Sequence, residues 1–313
     1  MFKYDTILVL GSGGMVGSSI VEELKANGYE NILTPKRSEM DLLNNESVNA
    51  YFSSHIIDYV FFAAARVGGI KANIDFPATF GHENMTMILN VFEACAYYKI
   101  VKMLFLGSSC IYPRECPQPM KEEHLLSGKF EPTNEMYAFS KAFGIRLCSA
   151  YNKQYKTNFI SCQPPNIYGP GDNFNPERSH VMAALIKKFH DAKVSGSSEV
   201  VCWGTGSARR ELMYVKDLSN ACVYLMCNYN SDDFINVGTN TDCTIKELSE
   251  TVAKVVGYNG NIVWDASKPD GMTKKLMDSS KINKLGWSHK FSMVDAIEKT
   301  YDWWLKSEGV KNV

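Results

Sequence analysis

The chemistry of this chain is concentrated in Gly107-Ser-Ser-Cys-Ile-Tyr-Pro113 and, downstream, Tyr137-Ala-Phe-Ser-Lys141. The preceding Val101-Lys-Met-Leu-Phe-Leu106 reads as a buried strand, which puts Ser108 and Cys110 at its carboxyl end. Tyr137 and Lys141 are four residues apart in a helical stretch, so they share a face. A hydroxyl, a phenol and an ammonium converging there suit carbonyl reduction. The hydroxyl holds the carbonyl oxygen, the phenol protonates it as hydride arrives, and the lysine keeps the phenol acidic and can hold a cofactor ribose. Tyr98 and Lys102 repeat the Tyr-x-x-x-Lys spacing, but no serine-bearing strand end precedes them, so that pair reads as structural.

Reduction does not need the thiol of Cys110. Alone, Cys110 reads as a small buried apolar residue, and His180 alone reads as an exposed residue at a helix start. Together they offer a thiol and an imidazole for moving protons next to a carbonyl. Trp203-Gly-Thr-Gly-Ser-Ala-Arg-Arg210 is a glycine turn flanked by an aromatic and two cations. It reads either as a ring-and-phosphate clamp for a nucleotide or as a basic turn.

Gly11-Ser12-Gly13-Gly14-Met15-Val16-Gly17 has the Gly-x-x-Gly-x-x-Gly spacing between a strand and a helix. Glycines there permit a tight turn and close approach to a pyrophosphate, which the helix amino terminus then faces. An NAD-binding chain carries an acid at the end of the second strand. This one carries Lys36 and Arg37. A cation suits a 2′-phosphate, so NADPH is favoured over the alternative of a solvated charge pair.

Those groups need strands to present them. Thr6–Leu10, Asn31–Thr34, Asp58–Ala63, Met103–Gly107 and Asn158–Gln163 read as strands alternating with helices, including Met15–Asn27 and Met136–Tyr155. That rhythm predicts an α/β protein with a Rossmann-type, doubly wound parallel sheet and a smaller mixed α/β substrate domain. The nucleotide-binding unit is expected over 1–165, with 211–243 and a C-terminal helix over 291–307 returning to it. Strand Phe234–Val237 would rejoin the sheet. The substrate domain is expected over 166–210 and 244–290. Pro164–Asn173 reads as a loop, and Ser292 as the cap of an amphipathic helix carrying Val294, Ile297, Tyr301 and Trp304.

The 313 residues are 45% hydrophobic and 21% charged, so a sizeable core is expected, and disorder is not. A net charge of −1 argues against a nucleic-acid or acidic-membrane surface. Nine cysteines without a Cys-x-x-Cys pair suit free thiols in a reducing compartment and neither a disulfide framework nor a metal site. With no signal region and no membrane span expected, the expectation is a cytoplasmic protein.

Gly107–Pro113, Glu131-Pro-Thr-Asn-Glu135, Asn166-Ile-Tyr-Gly-Pro-Gly-Asp-Asn-Phe174, Ser179-His-Val, Lys268-Pro-Asp-Gly271, Ala63–Ile70 and Asn236–Thr239 together resemble the GDP-L-fucose synthases. These belong to the extended short-chain dehydrogenase/reductases, and the likeness runs from about Ile7 to Trp287. It implies epimerisation of GDP-4-keto-6-deoxymannose at C3 and C5, reduction at C4 with NADPH, and a homodimer. It assigns Ser108, Tyr137 and Lys141 to reduction, and Cys110 and His180 to epimerisation. It implies cofactor contacts from Gly11–Gly17, Arg37, Asp41, Leu42, Ala63, Ala64, Leu106, Gly107, Lys141, Pro164, Asn166, Ile167 and His180. Substrate contacts are implied for Asn166, Lys188, Trp203, Arg210 and Asp270. Lys188 departs from the family's usual Arg, replacing a fork with a point charge.

Cys110 and His180 argue against a plain 4-reductase, and Lys36-Arg37 against a 4-epimerase holding NAD. A non-catalytic NADPH sensor has no need for a proton donor beside the nicotinamide.

Overall fold

The computed structural model describes residues 1–175, 179–268 and 270–311. Pro269, inside one of the sequence motifs, lies outside the described residues. The chain opens with β1 (Ile7–Leu10), α1 (Met15–Ala26), β2 (Ile32–Leu33), α2 (Asn45–Ser54), β3 (Tyr59–Phe62), α3 (Ile70–Asp75), α4 (Pro77–Tyr97), β4 (Lys102–Leu106), α5 (Glu135–Tyr155) and β5 (Phe159–Gln163). It continues with β6 (Asn166–Tyr168), α6 (Val181–Ser195), β7 (Glu199–Trp203), β8 (Arg209–Arg210), β9 (Leu212–Tyr214), α7 (Val215–Asn228) and β10 (Ile235–Asn236). It ends with β11 (Cys243–Thr244), α8 (Ile245–Val256), β12 (Asn261–Asp265), β13 (Lys274–Lys275), α9 (Ser280–Lys284) and α10 (Met293–Lys311).

The doubly wound parallel sheet is present, in the order β10-β5-β4-β3-β1-β2. Helices cover both faces, which is why β1 and β4 are buried at every residue. On one face Phe62, Phe92, Phe105 and Phe159 meet edge to face under α4 and α5. Each ring gains about 1.5–3 kcal/mol from burial. On the other face Ile20 and Leu24 of α1 share a core with Leu218, Cys222 and Leu225 of α7. Strand β1 pairs with β2 on one side and β3 on the other, so the chain switches direction there and a crevice opens at the strands' carboxyl ends.

Lys102 is buried in β4 and is tied to the fold. Its ammonium donates to the carbonyls of Leu225, Met226 and Tyr229 at 3.1, 2.7 and 2.6 Å, where α7 ends. A cation suits the negative end of a helix dipole. Burial lowers its pKa to about 8. The Tyr98/Lys102 pair is therefore structural.

The remaining strands form small sheets: β6 with β9, β7 with β12, and β11-β8-β13. Asn166–Tyr168, expected to be loop, is a short strand because β9 supplies its ladder partners. The segment Phe234–Val237 does rejoin the main sheet through β10 beside β5. One expectation is corrected. The C-terminal helix does not return to the nucleotide-side cores. Its Ala296, Ile297, Tyr301 and Trp304 pack in a third core with Met182, Ile186 and Phe189 of α6 and Leu248 and Val252 of α8. Ser292 caps it, accepting from the Asp295 N–H at 3.2 Å. Val294 is 46% exposed and Ala296 takes the inward place, since the buried stripe starts later than the pattern implied.

Candidate active site

The glycine loop closes the turn from β1 into α1. Gly11 has φ +82°, and a Cβ there would meet the Ala64 backbone nitrogen at 2.7 Å. A Cβ at Gly17 would run into the Gly11 carbonyl and stand 2.8 Å from the Ser12 nitrogen. Only glycine lets these backbones approach. Helix α1 starts at Gly14 without a side-chain cap and without an acid in its first turn. Its free N–H groups and positive dipole end are therefore open to an anion in the cleft. The loop, Arg37, Asp41, Leu42, Ala63 and Ala64 line one continuous cleft. The exposed Arg37 guanidinium lies 3.4 Å from Asp41 and is free to turn toward a phosphate. These residues fit a phosphorylated dinucleotide.

Strand β4 delivers the chain to Gly107 and Ser108 at the floor of the same cleft. Gly107 is needed because the Gln163 amide occupies the space a Cβ would take. From there Gln163 Oε1 accepts the Ser108 N–H at 2.9 Å. The Ser108 hydroxyl accepts the Cys110 N–H at 3.2 Å and caps the turn Ser109–Ile111. One turn apart on α5, Tyr137 and Lys141 face this serine. Burial raises the Tyr137 phenol, Cys110 adds to this, and a hydrogen bond with Ser108 opposes it. Tyr137 therefore stays protonated at neutral pH. The Lys141 ammonium donates to the Leu106 carbonyl at 2.8 Å and lies 5.9 Å from the Tyr137 ring centre. Burial brings its pKa down to about 8.

Cys110 has an environment the sequence motifs did not reveal. Asn134 Nδ2 donates to its Sγ at 3.3 Å, and Lys275 Nζ at 3.6 Å. Burial disfavours the thiolate, but Lys275, Ser108 and Asn134 together outweigh burial, and the thiol falls below its ordinary value. His180, the N-cap of α6, opens on the same cleft. Desolvation in the cleft, which disfavours the charged ring, and then the charge of Lys275 hold its imidazole below the usual range. The cation acting on the thiol is thus Lys275.

Leu106, Pro164, Asn166, Ile167, Trp203, Arg210 and Asp270 also line the cleft. Trp203 is 69% exposed, with Lys268 Nζ 5.9 Å over its ring. Asp270 accepts from the Thr205 N–H and hydroxyl, both at 2.7 Å, pinning the glycine turn. Arg210 donates to the carbonyls of Arg209 and Met272 at 2.8 and 2.6 Å. Lys188 is the exception among the expected site residues. It is exposed, does not line the cleft, and donates to the Val201 carbonyl at 2.8 Å, tying α6 to β7. Asn134 could have been found, since it lies in the Glu131–Glu135 motif. Lys275 could not, because only the pairing of β13 with β8 brings it to the cleft.

Residues 7–238 match the NAD dependent epimerase/dehydratase family. GDP-L-fucose synthase 1 of Arabidopsis thaliana is 48% identical over 305 residues, covering 97% of this chain and 94% of the relative. GDP-L-fucose synthase of Escherichia coli (strain K12) is 44% identical, covering 96% of this chain and 97% of the relative. Among solved structures, a GDP-L-fucose synthetase from Naegleria fowleri bound to NADP superposes with a TM-score of 0.92 at 28% identity, over 99% of this chain and 95% of the other. The glycine loop, the serine strand end and the Tyr137/Lys141 helix all fall within the matched residues, and the chain belongs to the NAD dependent epimerase/dehydratase family, within its GDP-L-fucose synthase branch.

Proposed function

We propose that the chain converts GDP-4-keto-6-deoxymannose to GDP-L-fucose, inverting C3 and C5 and reducing C4 with NADPH. One observation carries this reading. A thiol lowered by Lys275, Ser108 and Asn134 and an imidazole share a single cleft with Tyr137 and Lys141 as well as that serine. Reduction alone needs only the last three.

Gly11–Gly17 and the amino end of α1 would hold the pyrophosphate, and Arg37 the 2′-phosphate. The dinucleotide, when bound, supplies the hydride for C4. The C4 ketone acidifies the hydrogens on both neighbouring carbons. The Cys110 thiolate takes one of these protons, and the electron pair moves onto the C4 oxygen as an enolate. Ser108 and Tyr137 donate to that oxygen. A proton returned from His180 to the opposite face completes the inversion; once the thiol has given its proton to solvent and the imidazole has regained one, the same exchange at the other carbon completes the second. The imidazole is largely neutral in the free protein. The negative charge of the diphosphate and the enolate raises its proton affinity on binding. For the reduction, Tyr137 would give its proton to the C4 oxygen, with the Lys141 charge favouring the phenolate left behind. Trp203, Arg210, Asn166 and Asp270, which line the cleft, would meet the nucleotide and sugar. Lys188 is not.

A homodimer is supported by Leu89 and Tyr97 on α4 and Phe139 and Tyr155 on α5, which leave apolar side chains exposed on adjacent helices. A cytoplasmic setting is supported by nine unpaired cysteines. Among the described residues no helix is long and apolar enough to cross a membrane.

The test is incubation with GDP-4-keto-6-deoxymannose and NADPH, with the product identified by NMR. GDP-L-fucose is expected. A GDP-rhamnose-type product would mean reduction without epimerisation, and bound NADPH without turnover would mean a sensor.

A further inference from the structure

We infer that Lys275 is a positioning residue for epimerisation: its ammonium holds Cys110 as the thiolate, aimed into the cleft, ready to accept a carbon-bound proton. This inference rests on the proposed epimerase-reductase reading and names the group that makes its base effective.

The geometry comes from three separate segments. Cys110 sits on the turn after β4, and its backbone N–H is tied to Ser108. Asn134, just before α5, approaches the sulfur at 3.3 Å. Lys275 arrives from β13, which pairs in parallel with β8, so that Lys275 stands opposite Arg210. Its Nζ is 3.6 Å from Sγ. An ammonium at hydrogen-bond distance from sulfur stabilises the thiolate far more than the thiol, because the thiol carries no full charge for it to meet. The other titratable groups facing the thiol are the Tyr137 phenol on α5, which stays neutral, and the His180 imidazole at the start of α6, in the same cleft.

The same ammonium acts on His180 in the opposite sense. It disfavours imidazolium. One cation therefore separates the two groups, making the thiol the base of the resting protein and leaving the imidazole to gain its proton when the anionic substrate arrives. Without Lys275 the thiol would lose its cation and the imidazole would gain basicity, narrowing that separation.

The experiment reads the thiol directly, without requiring turnover. Iodoacetamide alkylation of Cys110 is followed by peptide mass spectrometry as a function of pH in the wild type, Lys275→Met and Lys275→Arg. In the wild type the midpoint should lie below the roughly 8.5 of a free thiol. In Lys275→Met it should rise by about one pH unit or more, a tenfold smaller thiolate fraction at neutral pH. Lys275→Arg should restore most of the shift. NADPH titration checks that each variant is folded, and the wild-type midpoint tests the inference even if a variant is not. In parallel, deuterium uptake at C3 and C5 of the bound 4-keto sugar is measured with NADP⁺ present. It should slow about tenfold in Lys275→Met and recover in Lys275→Arg. A wild-type midpoint at or above 8.5, or a Lys275→Met profile that overlays the wild type, overturns the role of Lys275 while leaving the proposed activity intact. A shifted profile with no deuterium uptake in the wild type supports the ammonium–thiolate pair and overturns the epimerase reading.

Discussion

The Lys141 ammonium donates to the carbonyl of Leu106 at 2.8 Å, joining the helix that carries Tyr137 to β4, the strand that leads into Ser108. Side chain and backbone thereby fix the spacing of the phenol and the hydroxyl. A separate bond, from the Ser108 N–H to Gln163, fixes the strand end itself. The reducing centre is thus braced from both neighbouring elements.

Tyr137→Phe should abolish NADPH oxidation with the keto sugar while leaving the NADPH dissociation constant within about threefold, since it removes a proton and little contact area. Deuterium exchange at C3 and C5 should persist, because Ser108 still supports the enolate oxygen. Normal NADPH oxidation by this variant would remove Tyr137 from the reductive step.

Burial lowers Lys141 to about 8, so its charged form dominates below that pH and is lost above it. Because kcat/KM reports groups of the free protein, kcat/KM for NADPH should hold up to about pH 8 and then fall as pH rises. Lys141→Arg keeps its charge at every working pH, so any residual activity should lack this alkaline limb. If the limb stays in place in Lys141→Arg, it belongs to another group.

Arg37 is exposed and only loosely paired with Asp41 at 3.4 Å. Arg37→Ala should cut the preference for NADPH over NADH by roughly tenfold or more, the worth of one charge-assisted contact to phosphate. Steady-state constants with both cofactors give the ratio. An unchanged ratio would make Arg37 a solvated loop residue.

Cys110→Ser should nearly abolish deuterium uptake at C3 and C5 from heavy water with NADP⁺ bound, because an alcohol is too weak a base at neutral pH. Slow direct reduction of the ketone should continue and give a GDP-rhamnose-type product. Wild-type exchange in this variant would reduce Cys110 to a packing residue.

Gly17→Ala should destabilise the protein by about 1–3 kcal/mol, since the new methyl meets the backbone of Gly11 and Ser12 and neither has a flexible side chain to move aside. NADPH affinity should fall at least tenfold as the loop shifts. Thermal unfolding and a cofactor titration measure both. A wild-type melting temperature with wild-type affinity would show a loop loose enough to absorb the methyl.

Local pattern was enough to place β1, β3, β4, β5, α1 and α5 within a residue or two. Each is a short apolar run or a helical repeat whose burial depends little on the rest of the chain. The motifs at 11–17, 107–113 and 137–141 could be set on one sheet edge because strand–helix alternation leaves a parallel sheet only one carboxyl side. What tertiary structure alone decided has a common physical origin in long-range pairing. Asn166–Tyr168 is a strand because β9 lies beside it, and the C-terminal helix packs on α6 and α8 because their apolar stripes form a third core. Lys188 had a suitable charge, but α6 turns it out of the cleft to the Val201 carbonyl. Lys275 had no motif at all. A two-residue strand, held by β8, carries its ammonium to a sulfur 165 positions earlier in the chain, and no spacing rule reaches that far.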